Sequence, residues 1–312
     1  MRLLHYSSTF DIPYWDSTVP TGILPTTMWG DAEELIGKWI KRTGKRDQIF
    51  LATKFGITEA MAKGDPNGVR GDPEYVKLSI EKSLSRLGVD TMDLYYVHRI
   101  DPKVPIEVTM RALVELVKEG KIRYIGLSVP SPTTLRRAHK VHPVAAIQVE
   151  YSPFVLDIEA KGHLLDTARE LGIAVVAYTP TGTGLLSGHI TCHADLPERD
   201  FRRLSPKFSD ENFPAILALA AKFKEVSSTH NATGSQVALA FLLAQGDSIL
   251  PIPGSRTIEH NEENMLAAYI KLTPEEVASL RKAIEETEIP GDRYPQWVTQ
   301  TLFRDTPEES AI

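Results

Sequence analysis

Short continuous runs of aliphatic, β-branched and aromatic residues alternate along this chain with longer stretches whose apolar residues recur every three or four positions. The short runs at 49–53, 92–97, 122–126, 145–148, 173–177 and 248–252 have the continuity of strands buried on both faces. With a first strand beginning at Ile12, they make seven predicted strands. Between them the period changes to that of a helix. Asp72 and Pro73 open one helix, Val76, Ile80, Leu84 and Leu87 form its stripe, and Gly88 closes it. Further helices are predicted over 106–118, from Ser131-Pro132 onward, and over 161–171, 212–228, 234–244, 259–269 and 273–286. The last of these carries a capping box, Thr273 with Glu276.

Strands alternating with helices of this length imply parallel βαβ units in an α/β fold. Two architectures remain, an open doubly wound sheet and a barrel. No G-x-G-x-x-G follows the first strand, so the usual phosphate loop of the open sheet is missing. Polar residues stand instead at the C-terminal ends of many strands: Asp16, Lys54, His98, Ser128, Gln148 and Tyr178. A (β/α)8 TIM barrel collects its reactive groups in that way. The expectation is one barrel domain over 1–312, with an atypical N-terminal segment at 1–30 and a C-terminal tail at 290–312.

Composition narrows the partners. A formal net charge of −6 argues against nucleic acid or an anionic membrane as the main partner. No apolar stretch approaches the roughly 18 residues of a membrane span. Cys192 is the only cysteine, which excludes an internal disulfide and fits a reducing, cytoplasmic setting. The start has too short an apolar run for a signal peptide. His189, Cys192 and His193 lie close together but lack a fourth ligand at a recognisable spacing, so no metal site is read from them.

Five motifs carry more specific information. The runs 49–56 (IFLATKFG) and 94–98 (LYYVH) resemble the lysine and histidine strands of the aldo-keto reductases, and 113–128 (LVELVKEGKIRYIGLS) is similar to that family's long signature. The runs 177–188 (AYTPTGTGLLSG) and 252–256 (IPGSR), with Glu262, Glu263 and Asn264, resemble its cofactor loops. The resemblance covers roughly residues 31 to 290, in order. It implies reduction of an aldehyde or ketone by NADPH, in a setting anywhere from detoxification to a fungal-type secondary-metabolite pathway. Asp16, Lys54 and His98 would be catalytic. A lysine ammonium beside the proton donor favours its ionised form, the aspartate keeps the lysine charged, and the histidine orients the carbonyl oxygen. By the same resemblance Ser128 and Gln148 bond the nicotinamide amide and Tyr178 stacks on its ring. Thr179, Pro180, Gly182, Gly184 and Leu185 wrap the pyrophosphate. Gly254, Ser255 and Arg256 grip the 2′-phosphate, whose geometry suits a guanidinium fork, and Glu263 and Asn264 hold the adenine.

The N-terminal part departs from this pattern. The family's spacing from Asp16 to its tyrosine is lengthened by an insert at 18–28, and Trp29 stands where the tyrosine belongs. An indole N–H donates a hydrogen bond but does not titrate as an acid. Tyr14 shares a strand face with Asp16 but would lie deeper in the barrel. The family's first strand and its helix are missing, or rebuilt from the N-terminal segment. The alternative expectation is therefore a barrel that binds NADPH but reduces slowly or not at all, as a sensor or binding partner.

Overall fold

The computed structural model describes residues 14–16 (main chain only), 31–198, 200–255 and 257–309. Two compact units emerge. One comprises the described parts of 12–148, 161–174 and 300–312, the other 149–160 and 175–299.

The first unit runs β1 (Tyr14–Asp16), α1 (Asp31–Thr43), β2 (Phe50–Phe55), α2 (Glu59–Ala62), α3 (Pro73–Leu87), β3 (Met92–Val97), α4 (Ile106–Lys118), β4 (Ile122–Ser128), α5 (Pro132–Val141), β5 (Val144–Glu150, whose last two residues begin the second unit) and α6 (Leu164–Leu171). The strands from β1 to β5 pair in succession and all pairs are parallel. Helix α3 shows why the sequence reading works locally. The Asp72 carboxylate accepts from the Tyr75 N–H, Pro73 opens the first turn, and Gly88 ends the helix at φ 64°. Its stripe of Val76, Ile80, Leu84 and Leu87 is buried, as the period predicts. At the N-terminal edge of the sheet, buried Asp93 accepts the Leu51 N–H at 2.8 Å. It also meets Arg46 at 2.8 Å and Arg123 at 2.9 Å. One carboxylate thus ties β2, β3 and β4 together.

The register sets the interior. Lys54 pairs with Tyr96, Tyr96 with Gly126 and Gly126 with Ala146, so four strands contribute to one layer. Two large and two small side chains share the layer, as close packing requires. The next layer toward the C-terminal ends holds Ser128, paired with Gln148.

The second unit contains β6 (Ala174–Tyr178, from Val175 onward), α7 (Phe213–Thr229), α8 (Gly234–Leu243), β7 (Ile249–Ile252), α9 (Ile258–Leu266), α10 (Pro274–Glu285) and α11 (Gln296–Thr299). Strands β6 and β7 are parallel, with Tyr178 opposite Ile252. Helix α8 opens with the reciprocal box of Thr233 and Gln236, and its residues from Ser235 to Leu242 are buried. The connection from 185 to 212 is a series of 3-10 turns. They are held by a cluster of Leu185, Ile190, Leu196, Phe208, Phe213 and Ile216.

Within each unit the strands pair in chain order and in parallel, so the described residues of each unit are α/β with a parallel sheet. The eighth strand of a (β/α)8 barrel is not among them. Several boundaries move. Strand β4 continues to Ser128 and β5 spans Val144–Glu150, because ladder pairing carries polar Ser128 and Gln148 inside the sheet. Helix α6 begins at Leu164 rather than 161, since Gly162 takes φ 77° and gives its N–H to Asp166. The stretch 259–269 divides into α9 and a 3-10 turn at Ala267–Tyr269. None of the described helices is long and apolar enough to cross a membrane.

Candidate active site

In the first unit, Lys54, His98, Ser128 and Gln148 come from four successive strands or the residue just past one. Lys54 is half-buried near the end of β2, with Nζ 5.5 Å from the centre of the Tyr96 ring. His98 follows β3, and its N–H donates to the Phe55 carbonyl at 2.7 Å, extending the β2–β3 ladder by one bond. Burial pushes the His98 imidazole well below its usual range, and the positive charges of Arg99 and Lys54 push the same way. The ring is therefore neutral at neutral pH, able to donate one hydrogen bond and accept another. Ser128 and Gln148 are both buried, and the Val129 N–H donates to the Gln148 carbonyl at 3.0 Å. Val129 has φ 50°, which a β-branched residue rarely adopts. The layer beneath is tight: a Cβ on Gly126 would lie 2.4 Å from two carbons of the Tyr96 ring.

In the second unit, β6 ends at half-buried Tyr178 and enters a turn with positive φ at Thr179, Gly182, Thr183 and Gly184. A Cβ on Gly182 would stand 2.3 Å from the Phe154 ring, so only glycine fits there. Pro180 and Leu185 are buried behind the turn. The Thr179 hydroxyl is buried with no hydrogen-bond partner among the described residues. Buried polar atoms are as a rule hydrogen-bonded, and either an ordered water or a polar cofactor lying along the turn would satisfy this one. Arg202 donates to the Thr183 carbonyl at 2.7 Å and pairs with Asp200 at 2.6 Å. Gly254 and Ser255 are exposed after β7. Glu263 accepts the Thr233 hydroxyl at 2.5 Å, and its carbonyl accepts from Gln236 at 2.9 Å. Those bonds fix α9 against the start of α8. Asn264 is half-buried on the same helix.

The main chain of Asp16 belongs to β1, opposite Ala52. Its side chain, Trp29 and Arg256 lie outside the described residues.

The model of the Aldo/keto reductase family matches residues 27–285. The chain belongs to the aldo/keto reductase family. It is 56% identical over 296 residues to aldo-keto reductase str7 of Strobilurus tenacellus, covering 95% of this chain and 83% of the relative. It is 44% identical over 306 residues to aldo-keto reductase yakc [NADP(+)] of Schizosaccharomyces pombe, covering 98% and 88%. Among solved structures, the glycerol dehydrogenase AKR11B4 of Gluconobacter oxydans aligns with TM-score 0.71 and 27% identity, over 91% of this chain and 81% of the other. A thermostable aldo-keto reductase, Tm1743, solved with the inhibitor epalrestat, aligns with TM-score 0.63 and 31% identity, over 81% and 77%.

Two features of this aldo/keto reductase escaped the sequence reading. Arg99 is buried beside His98, and its guanidinium reaches both the His98 carbonyl, at 2.8 Å, and the Ser128 hydroxyl, at 3.3 Å. Residues 300–309, read in the sequence as part of a tail that either folds back or stays exposed, belong to the first unit and are hydrogen-bonded within it at several points. No period or motif marks either feature, because each depends on partners far away in the chain. Arg293 and Tyr294 are likewise tied into the second unit. Arg293 meets Glu150 at 3.2 Å and Asp157 at 2.8 Å.

Proposed function

We propose that this chain binds NADPH and reduces an aldehyde or ketone to the alcohol. The observation that carries the reading is the set Lys54, His98, Ser128 and Gln148 on successive parallel strands of an aldo/keto reductase. The name of the yeast relative supports NADP(H) as the cofactor. The buried amide of Gln148, the buried hydroxyl of Ser128 and the unpartnered hydroxyl of Thr179 are the polar groups such a cofactor needs. When bound, NADPH supplies the hydride. Ser128 and Gln148 would hold its carboxamide and Tyr178 its ring. The turn from Thr179 through Pro180, Gly182 and Gly184 to Leu185 would hold its pyrophosphate. Gly254, Ser255 and Arg256 would hold the 2′-phosphate, and Glu263 and Asn264 the adenine.

The protein's own part in the chemistry follows from its charges. Neutral His98 donates a hydrogen bond to the substrate oxygen rather than a full proton. The Lys54 ammonium stabilises negative charge as it develops on that oxygen, where a fixed cation in a low dielectric is most effective. Asp16 would keep Lys54 charged. Since Trp29 does not titrate and His98 is neutral, the proton that completes the alcohol would come from Lys54 or from water, with Tyr14 the next residue to test. A well-placed general acid is worth roughly 10²–10⁴ in rate, so turnover should be slower by that order than in a tyrosine-bearing relative.

Trp29 also favours the second reading, a barrel that binds NADPH without appreciable turnover. The test follows NADPH binding by fluorescence and its oxidation with a small aromatic aldehyde. It uses the parent, Lys54→Met, and Trp29→Tyr with and without deletion of 18–28. Slow parental turnover, lost in Lys54→Met with binding retained and raised most by Trp29→Tyr together with the deletion, is the expected pattern. Binding without turnover in any variant would leave the second reading. No binding at all would sink both.

A further inference from the structure

We propose that Arg99 is a positioning residue for the cofactor's carboxamide, and that the segment 300–309 is the strap that holds it there. The inference rests on the assignment of Ser128 and Gln148 to that group. Arg99 is 7% exposed and Thr301 fully buried. One guanidinium edge donates to the Thr301 hydroxyl through Nε at 3.2 Å. Nη1 donates to the His98 carbonyl at 2.8 Å and to the Ser128 hydroxyl oxygen at 3.3 Å. Arg99 thus joins the loop that follows β3 and the last residue of β4 to the C-terminal segment.

The bond to Ser128 has a chemical consequence. A hydroxyl offers one proton and two lone pairs, and an arginine can only donate. With one lone pair engaged by Arg99, the Ser128 proton is turned away from the guanidinium and is available to an acceptor such as an amide oxygen. Without Arg99 that hydroxyl has no fixed direction, and orienting it costs the ligand binding energy.

The strap fixes the neighbouring main chain as well. Val129, next to Ser128, is held at φ 50° by two bonds: its N–H donates to the Gln148 carbonyl, and its carbonyl accepts the Phe303 N–H, both at 3.0 Å. Phe303 itself takes φ 53° and packs edge-on to His163, with ring centres 4.8 Å apart. Strain of this kind persists only where the surroundings over-determine it. The surroundings here are ample. Ser131 donates its N–H to the Arg304 carbonyl at 3.3 Å, and the Ile106 N–H donates to the Thr306 hydroxyl at 3.1 Å. Arg137 reaches the Thr306 and Pro307 carbonyls at 2.8 and 2.7 Å, and Arg111 pairs with Glu309.

The experiment compares the affinity for NADPH with that for 2′,5′-ADP, which carries the 2′-phosphate and adenine but no nicotinamide. Variants are Arg99→Met, Thr301→Val and Thr301→Ser. Orienting one side chain that is no longer held corresponds to about a two- to tenfold change in affinity. Arg99→Met should weaken NADPH by about that factor and leave 2′,5′-ADP unchanged. Thr301→Val should shift NADPH in the same direction, and Thr301→Ser, which keeps the hydroxyl, should restore parental binding. If Arg99→Met does not fold, the Thr301 pair decides. Equal weakening of both ligands, no weakening of either, or identical behaviour of Thr301→Val and Thr301→Ser overturns the strap while leaving the assigned cofactor intact. A parent that binds neither ligand removes the cofactor assignment and this inference with it.

Discussion

Replacing Gly126 by alanine tests the layer on which Lys54 stands. The added Cβ would lie 2.4 Å from Cδ1 and Cε1 and 3.1 Å from Cγ of Tyr96, a fully buried ring. Carbon atoms prefer to sit about 3.5–4.0 Å apart, so the ring must retreat by more than an ångström or the strand must shift. Gly126 is paired with Tyr96 on one side and Ala146 on the other, which leaves the β4 main chain little freedom. Overpacking of this kind costs about 1–3 kcal/mol. For a chain of 312 residues, with an unfolding entropy of about 2.1 cal/mol/K per residue, each kcal/mol lowers Tm by roughly 1.5 °C, so a fall of about 2–5 °C is expected. Tyr96→Leu removes the ring the methyl collides with and by itself leaves a cavity, at a cost of about 2–4 kcal/mol. The double variant should be less destabilised than the sum of the two single changes by about 1–2 kcal/mol. Urea titration of the parent, both single variants and the double variant supplies the cycle. Additivity within about 0.3 kcal/mol, or a Gly126→Ala protein as stable as the parent, would refute the claim that Tyr96 occupies the space glycine leaves. Because Lys54 Nζ lies over the same ring, Gly126→Ala should also lower kcat more than it alters KM.

Two further predictions concern charge. Arg256→Ala should reduce the preference for NADPH over NADH by about ten- to a hundredfold, and a parent that binds the two equally would remove Arg256 from the 2′-phosphate. Lys207 is held down to about 8 by burial, despite the attraction of Glu150, and its ammonium donates to the Phe154 carbonyl at 2.7 Å. Its folded value lies below the model-peptide value of 10.5, so between those limits the unfolded chain binds more protons and stability rises with pH. The unfolding free energy of the parent minus that of Lys207→Met should climb between pH 8 and pH 10.5 by up to about 3 kcal/mol. A flat difference over that window would contradict the burial of the charge.

Much of the fold was readable from local rules. Asp72, Pro73 and Gly88 bound α3, and Thr273 with Glu276 caps α10, because caps and glycine stops act within a turn of the chain. The candidate site was readable where a motif lies near the C-terminal end of a strand, as at Lys54 in β2, His98 just past β3, Ser128 at the end of β4 and Gln148 two residues before the end of β5, since parallel strands carry such residues toward one edge of the sheet whatever their neighbours are. Distant partners were not readable. Whether Val129 holds a positive φ depends on Phe303, far along the chain, and the direction of the Ser128 hydroxyl depends on Arg99 and through it on Thr301. The depressed basicity of Lys207 depends on burial that the 3-10 turns around it create. Periodicity and spacing are one-dimensional, and they determined the order of strands and helices and which strand carries each candidate residue to within a few positions of its end. Strain, proton direction and dielectric are properties of surroundings, and only tertiary packing decided them.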